Sequence, residues 1–430
     1  MDSFLFILIR IVIFGTLLAC IVLSQRFWFR KASGLIGRVH HPLWRPLWRS
    51  LWTVALGLVL LPAVLWLVGA RGLFFPRSAY ALLGLWLTSA LLAYVGIQVV
   101  HAGEWLWRRL ATRRPQAGQG RLEDPTRRYF FQTASTLAGA VPFVGVLYGF
   151  VAGRLHYTVE RVEVPLANLP EGLDGLRIAQ LSDIHIGAYM PHEQVRRAVA
   201  MANELGAHLA VVTGDLVTAS RDPLEACVKE LAALRAPLGV WGCLGNHEIY
   251  ADCEDEATEL LRRVGVRILR RQNAEIAWRG AKLNLIGVDY QRQLASSGRR
   301  LTMLRGVEPL VRRDAPNILL SHNPNAFYRA AELGIELTLA GHTHGGQVQV
   351  EILDQRLSPA RFFTEFIAGL YQRQVASGPW LTARAGAARD GIRGELPTAS
   401  LYVNRGLGTV GAPVRLGSPP EITLLTLRRA

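Results

Sequence analysis

The chain has 430 residues, half of them hydrophobic, with 48 Lys and Arg against 33 Asp and Glu and a formal net charge of +15. That length exceeds one ordinary domain and suits two. The apolar residues crowd into the first third, and no nucleic-acid-binding motif accompanies the basic excess, so no nucleic acid is expected as a partner.

Four N-terminal runs are long and apolar enough to span a bilayer, which takes about 20 residues; they cover 4–23, 51–70, 79–100 and 133–152. The first contains Arg10, costly at membrane depth unless it faces another helix or water. The fourth is the weakest, with Pro142 and several glycines. The loops between the runs carry charge unevenly. Arg26, Arg30, Lys31, Arg38, Arg45 and Arg49 follow the first run, and Arg108, Arg109, Arg113, Arg114, Arg121, Arg127 and Arg128 follow the third. The second loop holds only Arg71 and Arg77. The positive-inside rule then places loops one and three in the cytoplasm and everything after the fourth run outside. The expectation is a multi-pass protein of the inner (cytoplasmic) membrane, with residues 1–152 as its transmembrane region and residues 155–430 on the periplasmic side. Thr126-Arg127-Arg128-Tyr129-Phe130-Phe131-Gln132 also resembles a twin-arginine export signal. Two arginines anchoring a helix at the cytoplasmic face is the alternative reading.

After about Leu155 short apolar runs alternate with amphipathic stretches, the pattern of α/β construction. Strands are expected at 176–181, 209–213, 240–244, 283–288, 318–321 and 337–340, and helices at 193–205, 223–234 and 254–264. Cys227, Cys243 and Cys253 show no metal-knuckle spacing and read as small buried thiols; an exported domain leaves room for one disulfide, Cys243 with Cys253. His156, His192 and His208 have no motif around them and read as surface or helix positions.

Nearly every strand-like run ends in a cluster of Asp, His, Asn and Gly, and ligand sites of α/β sheets gather at the carboxyl ends of strands. In Ser182-Asp183-Ile184-His185, extended backbone would turn Asp183 and His185 to one side and Ile184 to the core. Thr213-Gly214-Asp215 ends a very apolar run, where a buried carboxylate is expensive without a compensating cation. Leu244-Gly245-Asn246-His247-Glu248 offers a neutral amide oxygen and an adjacent imidazole. Ser321-His322-Asn323 and Gly341-His342-Thr343-His344-Gly345-Gly346-Gln347 complete the series.

In this order the five clusters resemble the calcineurin-like metallophosphoesterases, whose pattern is D-x-H, G-D, G-N-H, a lone H and G-H-x-H. The resemblance runs from about Gly175 to the C-terminus. The tail around 401–408 and 419–422 looks like that of a membrane-linked bacterial branch, of YkuE and YaeI type. It implies N-terminal transmembrane helices followed by an α/β domain built on a central β-sandwich flanked by helices. It further implies two divalent cations, with Mn, Fe or Zn suited to mixed imidazole and oxygen ligands. Asp183, His185 and His344 would hold the first, Asn246, His322 and His342 the second, and Asp215 would bridge them. His247 would sit beside the scissile phosphate without binding metal, and a metal-bridging hydroxide would attack phosphate mono- or diesters. Gln347 would steady the site by a hydrogen bond, and Asp289 is given no catalytic role. Placement beside a bilayer suggests a lipid or cell-envelope substrate. The competing expectations are a non-catalytic membrane receptor or scaffold of this fold, and a cytoplasm-facing nucleotide-lipid pyrophosphatase.

Overall fold

The computed structural model describes residues 2–36, 43–44, 46–54, 57, 77–111, 125–167, 169–291, 303–352, 355–362, 364–374 and 398–430. Contacts divide the chain into two compact units, Met1–Gly149 and Phe150–Ala430.

In the first unit, α1 (Asp2–Ile36) carries the first apolar run. The second run lies mostly outside the described residues, as does Arg71. The third and fourth runs lie on α2 (Arg77–Ala111) and α3 (Pro125–Val151), and α3 passes through Pro142 without a break. Two stretches, Gly84–Leu110 and Pro125–Leu155, are long and apolar enough to cross a membrane. Several polar side chains bridge these helices. Ser24 Oγ and Trp28 Nε1 both donate to the Ala90 carbonyl, and Trp86 Nε1 donates to Gln25 Oε1. Gly96 lets α2 approach α3, since a Cβ there would lie 3.4 Å from Ala138 Cβ. Val99, Val141, Val144 and Leu147 point outward, each more than half exposed.

The second unit alternates strands and helices. In chain order it comprises β1 (Thr158–Leu166), β2 (Arg177–Leu181), α4 (His192–Glu204), β3 (Leu209–Thr213), α5 (Leu224–Leu231), β4 (Val240–Cys243), α6 (Asn246–Ala251), α7 (Glu254–Arg263) and β5 (Val266–Ile268). There follow β6 (Gln272–Trp278), β7 (Ala281–Gly287), β8 (Asn317–Leu320), α8 (Phe327–Leu333), β9 (Leu337–Ala340), the small hairpin β10 (Val350–Ile352) and β11 (Gln355–Leu357), β12 (Gly369–Gln374), β13 (Thr398–Val403) and β14 (Glu421–Arg429). Among the described residues these make two six-stranded sheets, ordered β1-β14-β2-β3-β4-β5 and β12-β13-β9-β8-β7-β6. Each sheet is mixed. The first is parallel from β2 to β5, with β14 antiparallel to β2 and parallel to β1; the second is parallel across β7, β8, β9 and β13, with antiparallel edges β6 and β12.

The sheets pack face to face. Ile178, Leu209 and Val211 of one share a buried cluster with Leu285, Ile318 and Leu337 of the other. The opposite face of the first sheet is covered by Val195, Val199, Val228 and Leu261 from α4, α5 and α7. Phe327 and Ala331 of α8 pack against Leu401 and Val403 of β13. Strands buried on both faces read as continuous apolar runs, which is why Leu209–Thr213 stands out in the sequence. Cys227, Cys243 and Cys253 are buried and free, so the Cys243–Cys253 disulfide is not formed.

Candidate metal centre

The loops leaving β2, β3, β4, β8 and β9 bring the five clusters to one place at the carboxyl ends of the strands. Asp183, His185, Asp215 and His344 are all buried, and each offers an atom within 4.8 Å of the others. Asp215, His322 and His342 form a second group of the same compactness, so Asp215 belongs to both. His185 Nε2 lies 3.2 Å from His344 Nε2 and 3.6 Å from Asp215 Oδ2, and His344 Nε2 lies 3.3 Å from Asp183 Oδ1.

The ring orientations are fixed from outside. His322 Nδ1 meets the Thr213 carbonyl at 2.6 Å and His185 Nδ1 meets the Val217 carbonyl at 3.1 Å. A carbonyl only accepts, so each Nδ1 carries a proton and each Nε2 is turned into the centre. His247 is held the same way. Its backbone N–H donates to Asp215 Oδ1 at 2.9 Å, its Nδ1 donates to the Thr218 carbonyl at 2.8 Å, and its ring stands edge-on to His185.

Three buried atoms here have no hydrogen-bond partner: Asn246 Oδ1, His342 Nδ1 and His322 Nε2. The last is 2.9 Å from Asp215 Oδ2 but outside hydrogen-bond geometry. Unsatisfied buried polar atoms are costly, and each of these is a metal-ligand atom type. Burial pushes the Asp183 carboxyl up to about 6 and pushes the imidazoles of His185 and His342 down to about 3 and about 4. Burial also opposes charge on His322, yet Asp215 and Asp183 hold its imidazolium up to about 10. For Asp215 the same burial is outweighed by His322, His185 and His247, which keep the carboxyl well below the usual range. Two carboxylates thus sit in a desolvated pocket rich in lone pairs, and divalent cations fit that donor set.

The backbone differs from the extended form expected at Asp183 and His185. Both have φ of 50°, as do Asp215 at 57°, His342 at 76° and His344 at 53°. Ile184 is buried in the core as expected, but the two flanking side chains reach the centre through left-handed turns. Such values are uncommon outside glycine and gather at functional sites. Glycines admit the close approach: a Cβ on Gly245 would lie 2.1 Å from Asp215 Oδ1, and one on Gly341 would lie 2.2 Å from Asp183 Oδ2.

Two supporting residues escaped the sequence reading. Glu248, fully buried, accepts from the backbone N–H groups of Gly245 at 2.7 Å, Asp215 at 3.0 Å and Leu216 at 2.6 Å, tying the β3 and β4 loops together. Its place in the first turn of a short helix was the available signal. Arg415 is also buried and donates to the carbonyls of His344 at 2.9 Å, Arg405 at 2.8 Å and Gly406 at 3.1 Å. Nothing near it in sequence marks that role. Gln347 exchanges hydrogen bonds with the backbone of Val410, bracing the C-terminal loop. Asp289 pairs with Arg270 at 3.0 Å. His192 is half-exposed on α4, His156 is exposed, and His208 packs against Trp278.

A two-sheet α/β fold gathers at its strand ends two carboxylate–imidazole groups that could hold divalent metal ions. The family model for calcineurin-like phosphoesterase matches residues 176–346. A "Transmembrane protein with metallophosphoesterase domain" from Bos taurus is 32% identical over 85% of this chain and 77% of its own length. The chain belongs to the calcineurin-like metallophosphoesterases, a superfamily of metal-dependent phosphoester hydrolases. The like-named relative from Danio rerio is 30% identical over 69% of the chain, which spans 63% of that protein. The metallophosphoesterase YkuE of Bacillus subtilis is 28% identical over 71% of the chain and 99% of its own length. The "UDP-2,3-diacylglucosamine pyrophosphatase LpxG" of Chlamydia trachomatis is 25% identical over 64% of the chain and 91% of its own length.

Proposed function

We propose that this protein is a membrane-anchored phosphoesterase that hydrolyses phosphate mono- or diesters with two divalent cations. The observation that carries the reading is the pair of donor groups sharing Asp215. Asp183, His185 and His344 would hold one cation, Asn246, His322 and His342 would hold the other, and Asp215 would serve both. When bound, such a pair lowers the pKa of a water and neutralises the phosphoryl oxygens. The residues of the chain do the rest. The carbonyls of Thr213 and Val217 keep His322 and His185 in the ligating tautomer. His247 Nδ1–H donates to the Thr218 carbonyl, leaving Nε2 as the ring atom that stabilises charge on the phosphate or protonates the leaving oxygen.

The apolar helices α1, α2 and α3 act as the multi-pass anchor in the inner membrane, with the catalytic unit on the periplasmic side by the bias of basic residues. A lipid-linked or cell-envelope substrate is favoured by Ile249 and Tyr250, which are 40% and 52% exposed two and three residues after His247. Large apolar side chains at a polar site suit an amphiphilic ester. The diacylated, pyrophosphate-linked substrate in the name of the Chlamydia relative points the same way. A cytoplasm-facing nucleotide-lipid pyrophosphatase is the form this reading takes if the orientation is reversed.

The test is turnover of p-nitrophenyl phosphate and bis-p-nitrophenyl phosphate by the full chain in detergent, metal-free and with Mn²⁺, Zn²⁺ or Fe²⁺. Turnover is expected only with metal, and Asp215→Asn and His247→Ala each lower it by about a hundredfold or more with the fold intact. Normal turnover in both variants overturns the assignment and leaves the receptor or scaffold reading.

A further inference from the structure

Helices α1, α2 and α3 of the first unit enclose space that their described side chains do not fill. Trp28 and Ser24 meet Ala90, and Phe27 stacks near Tyr94, so α1 and α2 run parallel. Trp86 lies against Phe143 while Ile97 faces Gly139, so α3 runs antiparallel to both. The C-terminal ends of α1 and α2 therefore meet the N-terminal end of α3, and a cavity of about 670 Å³ opens there. Among the described residues, four of its lining side chains are cationic, Lys31, Arg108, Arg127 and Arg128, and Glu104 pairs with Arg108 at 2.5 Å. Gln132, Ser135 and Thr136 add uncharged hydrogen-bonding groups.

A second cavity of about 410 Å³ adjoins it and shares Lys31, His101, Ser135 and Thr136. Its remaining walls are Phe27, Trp28, Ile97, Gly139, Ala140 and Phe143. One continuous cleft is thus cationic at the helix ends and aromatic one to two turns deeper. Gly139 contributes to the depth, because a Cβ there would stand 3.2 Å from Ile97 Cδ1.

We propose that this cleft binds one anionic phospholipid, with its phosphate headgroup among Lys31, Arg108, Arg127 and Arg128 and an acyl chain against Trp28 and Phe143. The charge of the wall selects the headgroup, since basic pockets between transmembrane helices recognise anionic lipids. The order of the two halves selects a lipid over a soluble phosphate, because only an amphiphile satisfies both. The site is separate from the metal centre and belongs to the helical unit alone. It rests on the reading of these helices as membrane-spanning, and it does not depend on the phosphoesterase chemistry.

The experiment uses the full chain in detergent and reads bound lipid by native mass spectrometry after equilibration with equal amounts of dioleoylphosphatidylglycerol and dioleoylphosphatidylcholine. One phosphatidylglycerol per chain is expected, retained against millimolar inorganic phosphate. A Lys31→Gln, Arg108→Gln, Arg128→Gln triple variant should lose the preference by about tenfold or more. Ala140→Trp, which keeps every charge and fills the apolar half, should lose retention as well. Both variants are checked by gel filtration and by unchanged hydrolysis of p-nitrophenyl phosphate. Equal retention of the two lipids by the unmodified chain, or unaltered retention in either variant, overturns the site. Flotation of the unmodified chain with phosphatidylcholine vesicles separates the two readings: failure to float sinks the membrane reading, and flotation without lipid preference sinks only the site.

Discussion

At the scale of single residues, the centre is held by side chains that never face it. Glu248 uses its carboxylate as a template for three backbone N–H groups, fixing where Asp215 and Asn246 begin. Glu248→Gln replaces an acceptor oxygen by a donor and sets N–H against N–H. Losing a supporting group of this kind typically costs 10–100-fold in metal affinity or activity. The variant should therefore require more Mn²⁺ for half-maximal turnover while its saturated rate recovers in large part; an unchanged metal titration would remove Glu248 from the support of the site. The residues that gather at the centre were legible because D-x-H, G-D, G-N-H and G-H-x-H fall at strand ends in one chain. The geometry that delivers them was less so. Strand alternation gave Asp183 and His185 the right partnership for the wrong reason, since both side chains turn inward through left-handed backbone. Arg415 was invisible because its partners His344, Arg405 and Gly406 are reached through folding, and an isolated Arg in a Gly-Pro-rich tail carries no local sign of burial.

At the scale of elements, the first sheet depends on its latest strand. β14 sits between β1 and β2, paired over nine residues with the former from Thr158↔Glu421 to Leu166↔Arg429. Ending the chain at Pro420 removes Ile422, Leu424, Leu425 and Leu427 from the two clusters on either side of that sheet. Burying a large aliphatic side chain contributes about 1.5–3 kcal/mol, so four lost together exceed about 6 kcal/mol, a large part of the 5–15 kcal/mol that usually stabilises a domain. The truncated chain is expected to lose cooperative unfolding by circular dichroism, and a retained sharp transition would contradict the inferred dependence. Central strands such as β3 and β8 were readable as unbroken apolar runs. β1 was not, because it lies at the sheet edge and carries Glu160, Arg161 and Glu163 on a partly exposed face. Its partner comes from the far end of the unit, a pairing that local periodicity does not encode.

At the scale of the molecule, two units of different character share one chain. The boundary between apolar helices and alternating strands is a change of period and composition, so it could be read directly. The way β12, β13 and β14 close the two sheets lies beyond the stretch matched by the family model, and the spacing of motifs says nothing about it. Cations held at this centre would be thermodynamically linked to the fold of the second unit, because the donor set exists only when five separate loops are assembled. Saturation at a hundred times the dissociation constant adds about 2.7 kcal/mol per site. Chelation with EDTA should lower the unfolding midpoint of this unit by about 5–10 °C, and Mn²⁺ should restore it. A midpoint indifferent to EDTA would count against a bound pair.

The place of β14 also sets an order of events during biosynthesis. Ribosomes deliver β1 and β2 more than two hundred residues before the strand that must lie between them. Until it emerges, the nascent chain presents two unpaired strand edges that cannot satisfy each other. The loop carrying Gly406 and Gly408, which closes over Asp183, lacks its anchor for the same interval. Assembly of the second unit is therefore a late and concerted event, and the proposed cation binding would follow it. Until then the emerging segment needs protection from aggregation.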